Sequence, residues 1–314
     1  MNASELRPDI SVLIVSWNTR PLTETCLASL PGSVTPGTTY ETVVIDNNST
    51  DGSAELLRSR DDIDLVENDE NLGYAAAVNQ AFARARGRLI LLLNSDIEFK
   101  PGSLGALVRF LEEHPDAAGV GPLYFNPDGT PQQHHYRLPT YGALLAAYSS
   151  VLRKLPVLSS RYRDYRMLDE DFARPCRVEQ PSASVLLLRR DALPDDYLLD
   201  EHFPIYFNDV ELAYRLGRRG RELWMTPASE VFHVHGASTR QLGALLRRQH
   251  LASLVRYLEL TQPRGRLLAF KAFVFVQKAT LRALRKPNAL SVRDVILSLR
   301  GDPGSLPQSP RASS

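Results

Sequence analysis

Asp46, Asp96, Asp209 and the histidine pair at 233 and 235 are the side chains whose types and settings could do chemistry together. Asp96 ends the run Leu89-Ile90-Leu91-Leu92-Leu93-Asn94-Ser95-Asp96. An unbroken apolar segment that stops on an acid reads as a buried strand carrying a carboxylate to its carboxyl end, where open α/β sheets bind ligands. Thr42-Val43-Val44-Ile45-Asp46 repeats the design. Two carboxylates and an imidazole in such places point to a nucleotide and a metal. A diphosphate leaving group needs its charge neutralised as its bond breaks, and a divalent cation held by a carboxylate does this as a Lewis acid. Hard oxygen ligands suit Mg2+ or Mn2+, and one imidazole shifts the balance toward Mn2+. His233 and His235 stand at i and i+2 of a strand and share a face. One structural and one solvent-facing histidine is a simpler reading than a two-histidine site, and His233 is the single imidazole expected to join Asp96.

Phe207-Asn208-Asp209-Val210-Glu211 marks a loop-to-helix junction. Asn208 with Glu211 three residues on forms a capping box, which accounts for those two and leaves Asp209 free. The helix dipole would hold a carboxylate there ionised, ready to take a proton from a hydroxyl, so Asp209 is the expected general base. Asp200 and Glu201 read instead as a solvated turn. Asp46-Asn47-Asn48-Ser49-Thr50-Asp51-Gly52 follows a strand and opens a helix, so its amides either face an anion or polar ring or form a plain capped turn. Asn71-Leu72-Gly73-Tyr74, followed by Ala75, Ala76, Ala77 and Asn79, lets a helix lie close against a strand or a ligand.

The elements that must position these groups alternate. Strands are expected at 10–15, 42–46, 62–67, 88–93, 118–124, 185–188 and 230–234, and helices at 22–30, from about 51, 74–86, from Pro101 to about 114, and 209–219. Pro101 suits a first helical position, and Asn126-Pro127-Asp128-Gly129 is a turn. Between 142 and 177 an apolar helix-like piece to Leu158 gives way to a Tyr- and Arg-rich stretch without a period, which reads as a mobile or acceptor-facing segment. The expected division is a domain over 1–239, with a donor half at about 10–125 and an acceptor half at 126–239. A basic amphipathic helical extension follows over 240–300, then a disordered tail over 301–314.

The 314 residues are 43% hydrophobic with net charge +1, which excludes a disordered chain. The charge is unevenly placed. Residues 240–286 hold eleven Lys or Arg against the single acid Glu259, leaving residues 1–239 near −10. Leu245, Leu246, Leu254, Phe270, Phe273 and Phe275 interleave with those cations, as in helices lying on an anionic membrane surface, with a solvated basic face as the alternative. Nucleic acid is not an expected partner, because the aromatics sit within apolar runs rather than on a polar stacking platform. Neither a signal peptide nor a spanning helix is expected. Cys26 and Cys176 give no disulfide framework, which fits a reducing compartment.

An ordered set of segments gives the chain a family resemblance. Val15-Ser16-Trp17-Asn18, Ile45 to Gly52, Asn71-Leu72-Gly73-Tyr74 and Asn94-Ser95-Asp96 are followed by Pro122-Leu123, Pro127-Asp128-Gly129, Leu186 to Arg190, Tyr206 to Leu212, and His233 with Gly236-Ala237-Ser238. Over about residues 10–260 this resembles the family-two inverting glycosyltransferases of the GT-A fold, an α/β Rossmann-like architecture with a mostly parallel central sheet. Within the family it is similar to bacterial rhamnosyltransferases that extend lipid-linked saccharides.

The resemblance implies a nucleoside-diphosphate sugar donor, with dTDP-rhamnose leading, and a lipid-linked saccharide acceptor. It implies a peripheral place on the cytoplasmic face of the plasma membrane. Ser16 and Asp46 would meet the base and ribose, and Val15, Asn18, Asn48, Asp51, Asn71, Gly73, Asn79, Asn94 and Ser95 would complete the donor site. Asp96 and His233 would meet the metal and diphosphate, Asp209 the acceptor hydroxyl, and Ala183, Ser184 and Asn208 the acceptor. Two positions depart from the family: Asn208-Asp209 where a Glu-Asp pair is usual, and Ala183 where a Gly is usual. A sugar-phosphate nucleotidyltransferase is a weaker reading, since a Gly-rich loop after the first strand is missing. An inert membrane-docked nucleotide-sugar scaffold is the non-enzymatic alternative.

Overall fold

The computed structural model describes residues 7–194, 196–234, 243–284, 290–304, 306 and 308. Its first half alternates β1 (Ile10–Ser16), α1 (Arg20–Ser33), β2 (Tyr40–Asp46), α2 (Ser53–Arg58), β3 (Asp64–Glu67), α3 (Tyr74–Arg84), β4 (Leu89–Asn94), β5 (Ile97–Phe99), α4 (Ser103–Glu113) and β6 (Ala117–Phe125). The second half holds β7 (Pro131–Gln132), β8 (His135–Tyr136), α5 (Tyr141–Tyr148), α6 (Pro156–Tyr165), β9 (Cys176–Val178), β10 (Gln180–Pro181), β11 (Val185–Arg189), α7 (Asn208–Arg218) and β12 (Glu222–His233). Three helices close the chain: α8 (Gly243–Thr261), α9 (Arg264–Ala283) and α10 (Val292–Leu299).

The main sheet runs β3-β2-β1-β4-β11-β6-β12-β5, with β7 on β6 and β9 on β12. Strands β1 and β4 are apolar and almost fully buried because helices cover both faces of the sheet. Side-chain alternation divides their residues between two layers. Val12, Ile14, Leu91 and Leu93 pack with Leu27 and Leu30 of α1 and Leu107 of α4, while Leu13, Ile90 and Leu92 pack with Val78 of α3 and Leu212 of α7. Truncating a residue such as Leu91 to Ala would cost about 2–5 kcal/mol.

Register decides which residues meet at the sheet's carboxyl edge. Ser16 pairs with Asp46 and Val15 with Asn94 across parallel ladders. β11 runs antiparallel to β4 and pairs Val185 with Leu93, which brings Ser184 beside Asn94. β12 runs parallel to β6 and antiparallel to β5, pairing His233 with Ile97 next to Asp96.

Several expectations need correcting. β5 was not foreseen, and β12 is twelve residues long rather than the short segment from Glu230. Pro101 lies in the turn ahead of α4, not at its first position. The stretch read as lacking a period contains α6, whose charged surface is tied down by ion pairs of Arg137 with Asp164 and Glu170 and of Arg163 with Asp169. Part of the segment expected to be a disordered tail is placed against the body: Gln308 accepts from the Asn71 backbone N–H at 2.8 Å and donates to its carbonyl at 3.1 Å. α8 and α9 share a core of Leu251, Leu254, Leu258, Phe270 and Val274 with Leu144 of α5. His235, Gly236, Ala237 and Ser238 lie outside the described residues.

Candidate active site

A cavity of about 850 Å³ opens at the carboxyl edge of the sheet. Val15, Trp17, Asn47, Asn71, Gly73 and Tyr74 line one side, and Asn94, Ser95 and Asp96 the floor. Gln132, His134, Tyr136, Tyr165, Gln180 and Ser182 to Ser184 line a second side, closed by Ile205 to Val210, His233, and Leu246 and His250 of α8.

Asp96 and His233 meet in this cavity, with His233 Nε2 3.4 Å from Asp96 Oδ1. The Val234 N–H donates to the Asp96 carbonyl at 3.0 Å, so the backbone fixes the same juxtaposition. Among the described residues no group of three His, Cys, Asp or Glu could hold a metal. One carboxylate and one imidazole fit a cation that takes its other ligands from a diphosphate and water, which is the usual way magnesium-type sites are built.

Asp209 lies in the first turn of α7, near Gln180 and the phenol rings of Tyr74, Tyr136 and Tyr165. Its Oδ1 accepts the Val210 N–H at 2.8 Å, and its Oδ2 lies 3.3 Å from Gln180 Nε2. Desolvation pushes its pKa up; the hydrogen bonds from Val210 and Gln180 oppose this. The side chain keeps some accessible surface toward the cavity, yet protein encloses it on a wider scale. That enclosure overrides the helix-start effect from which a depressed pKa was expected.

The capping box also fails. Phe207 occupies the cap position with φ 65° and makes no side-chain cap. Asn208 is the first helical residue, and its Nδ2 donates to the Ile205 carbonyl at 2.9 Å, while Glu211 pairs with Arg215. An aromatic residue in the left-handed region is disfavoured, and here the His250 and Tyr257 rings of α8 pack against Phe207 at 5.3 and 5.8 Å.

The other expected donor residues divide into two groups. Val15, Asn71, Gly73, Asn94 and Ser95 line the cavity, as do Ala183, Ser184 and Asn208. Asn94 Nδ2 donates to Ser184 Oγ at 3.1 Å, and Ser95 Oγ lies 3.0 Å from Thr19 Oγ1. Gly73, at φ 84°, lets the Tyr74 N–H reach the Pro204 carbonyl at 2.7 Å, where a Cβ would crowd that oxygen at 3.0 Å.

Ser16, Asn18, Asp46, Asn48, Asp51 and Asn79 are not among the lining residues. The Ser16 side chain is fully buried against Thr23. Asn79 bonds the 198–199 backbone three times, at 3.0, 2.9 and 2.8 Å, and so ties α3 to that loop. Asp51 accepts from the backbone of Ser53 and Arg20 and organises the starts of α2 and α1. Asn18 accepts the Thr50 N–H at 2.8 Å, and Asn48 turns the chain at φ 64°. Asp46 Oδ2 accepts the Ser49 N–H at 2.9 Å, while its Oδ1 is buried with no hydrogen-bond partner among the described residues, and burial raises its pKa.

Sequence reasoning missed Trp17, Asn47, Tyr74, Gln132, His134, Tyr136, Tyr165, Gln180, Leu246 and His250 as wall residues. Trp17, Asn47 and Tyr74 lay inside quoted motifs and were legible; the others arrive through long-range packing.

A glycosyl transferase family 2 model matches residues 11–175. The chain belongs to glycosyl transferase family 2. A Mycobacterium tuberculosis N-acetylglucosaminyl-diphospho-decaprenol L-rhamnosyltransferase is 31% identical over 245 residues, covering 73% of this family 2 chain and 77% of that protein. The Bacillus subtilis putative teichuronic acid biosynthesis glycosyltransferase TuaG is 32% identical over 138 residues, covering 42% of the chain and 54% of that protein. GalNAc-T7, solved with UDP, GalNAc and Mn2+, superposes with TM-score 0.60 at 17% identity, over 93% of this chain and 56% of its own. The Pyrobaculum calidifontis mannosyltransferase PcManGT, solved with GDP-Man and Mn2+, gives TM-score 0.52 at 18% identity, over 96% and 77%. The family 2 chain thus has the GT-A fold, with its helices α8 to α10 following the sheet.

Proposed function

We propose that this family 2 glycosyltransferase transfers a hexose, with dTDP-rhamnose the leading donor, to a hydroxyl of a lipid-linked saccharide in cell-envelope glycan synthesis, with inversion at the anomeric carbon. The observation that carries the reading is that one cavity holds both an Asp96–His233 pair fit for a cation and diphosphate and a carboxylate, Asp209, whose pKa desolvation raises. The acceptor and the rhamnosyl group follow the name of the mycobacterial relative, and the dTDP carrier follows the family resemblance.

In this reading Asp46 Oδ1, buried behind the cavity wall and without a hydrogen-bond partner among the described residues, becomes an acceptor for the base or ribose once the donor seats against the 46–49 turn. Asp96 and His233 hold Mg2+ or Mn2+, which when bound offsets the charge of the departing diphosphate. Asp209 takes the proton of the acceptor hydroxyl as that oxygen bonds the anomeric carbon from the face opposite the breaking bond to the diphosphate. A base with a raised pKa accepts that proton more readily than an ordinary aspartate.

The basic helices support a peripheral place on the inner face of the plasma membrane. Among the described residues no helix is long and apolar enough to cross a membrane. α9 instead exposes Leu268, Phe275 and Val276 amid Arg264, Arg266, Lys271, Lys278 and Arg282. Gln277 bonds the Tyr148 carbonyl and Lys278 lies 5.4 Å from the Tyr148 ring, which docks α9 on the end of α5. Apolar side chains ringed by cations suit anionic lipid.

A calorimetric screen of dTDP-rhamnose, UDP-sugars and GDP-sugars, each with and without Mn2+ or Mg2+, tests the donor site. Metal-dependent binding of one donor is expected; no binding under any condition would overturn the reading.

A further inference from the structure

His233 is gripped twice by one neighbour. Gln132 Nε2 donates to the His233 carbonyl oxygen at 2.8 Å and also bonds Asn126 Oδ1. A backbone carbonyl can only accept, so this contact decides which end of the amide is nitrogen. Oε1 therefore points the other way, where His134 Nε2 lies at 2.7 Å and His233 Nδ1 at 3.2 Å. An imidazole that gives its Nε2 lone pair to a cation carries its proton on Nδ1 and needs an acceptor there. Gln132 Oε1 is such an acceptor in place. His134 Nε2 is as close to His233 Nδ1, at 3.2 Å, but its shorter contact to Oε1 makes it a fellow donor to the same oxygen. His233 is 4% exposed, so solvent has little access to take over that role. Strand pairing holds the amide in register, with Gln132 opposite Tyr124, and the Tyr124 ring packs on both imidazoles at 4.4 and 6.0 Å.

We propose that Gln132 is a positioning residue that locks the His233 ring with Nδ1 protonated and Nε2 presented toward Asp96. The proposal rests on the reading of Asp96 and His233 as the cation pair. It makes the Asn126 to Gln132 turn part of the cation site, with Gln132 acting through the His233 ring rather than as a cation ligand.

Mn2+ titrations followed by electron paramagnetic resonance, with UDP and dTDP in parallel, test it on wild type, Gln132→Leu, His233→Ala and Asp96→Asn. Loss of an outer partner of a metal-bound histidine lowers metal affinity by about 10- to 100-fold. That loss is expected for Gln132→Leu in the Mn2+ affinity measured without nucleotide and well below the variant's melting temperature. Wild-type Mn2+ affinity in Gln132→Leu would overturn the proposal and leave the side chain as a tie between turn and strand. If Asp96→Asn and His233→Ala also bound Mn2+ like wild type, the cation-pair reading itself would be wrong. Nitrogen-15 NMR of wild type with Mg2+ and nucleotide reads the ring directly, whether or not the variants fold. A proton on His233 Nδ1 is expected, and a proton on Nε2 would overturn the assignment.

Discussion

His233 Nε2 lies 3.4 Å from Asp96 Oδ1, at the place where β12 and β5 run antiparallel and bring a late strand against the end of an early one. The pairing predicts a shared phenotype. Asp96→Asn and His233→Ala should each weaken Mn2+-dependent nucleotide binding while leaving the metal-free component nearly unchanged. The double variant should lose little more than either single one, because groups serving one cation are not additive. Calorimetry with and without Mn2+ checks this; additive losses would separate the two residues.

Asp209→Asn should lower turnover by about 10²- to 10⁴-fold with little change in donor affinity. It should also stabilise the fold. The folded state holds the Asp209 proton more tightly than the unfolded chain, so the ionised group costs stability above its folded pKa, and that cost disappears as pH falls below the ordinary aspartate value of 3.8. The variant's melting temperature should exceed wild type at pH 7 to 8, and the gap should close on acidification. A gap that grew at low pH would reverse the sign of the shift.

Tyr74 carries a buried hydroxyl with no hydrogen-bond partner among the described residues, with Asp209 and Asp96 as its nearest charged influences. Tyr74→Phe should therefore leave the melting temperature level or slightly higher, since an unsatisfied group is removed. Its kcat/KM should fall by about tenfold, the value of one hydrogen bond to bound substrate. Unchanged kinetics would make the ring a packing residue only.

How much of this was legible depended on how local the cause was. Leu89 to Asn94 announced itself because a strand covered on both faces needs apolar side chains on both. Ile97–Phe99 is only three residues long, too short to show a period, and α6 has no buried residue and so no apolar stripe to read. Phe207 was beyond reach: its left-handed cap is held by His250 and Tyr257 of α8, from the chain's other end. Motif logic also credited Asn79 and Ser16 with facing a ligand, when one ties a loop and the other fills the core.

Asn79→Ala separates those cases. Losing three bonds to the 198–199 backbone should cost about 1–3 kcal/mol of stability. Nucleotide affinity measured well below the melting temperature should stay near wild type. Chemical denaturation beside calorimetry distinguishes this from a donor contact, which would show the opposite pattern.

Phe275→Glu and Val276→Glu place acids in the exposed apolar strip of α9. Each should reduce co-sedimentation with anionic liposomes several-fold and leave metal-dependent nucleotide binding intact. A wild-type protein that stays in the supernatant would contradict the membrane reading at once.

One transfer reaction tests whether Asp209 drives inverting transfer. Wild type and Asp209→Asn are incubated with dTDP-rhamnose, Mn2+ and a polyprenyl-diphosphate-linked N-acetylglucosamine, and the anomeric configuration of the product is read by NMR. An inverted linkage is expected from wild type and almost none from Asp209→Asn. A product with retained configuration, or an undiminished yield from the variant, would contradict that role.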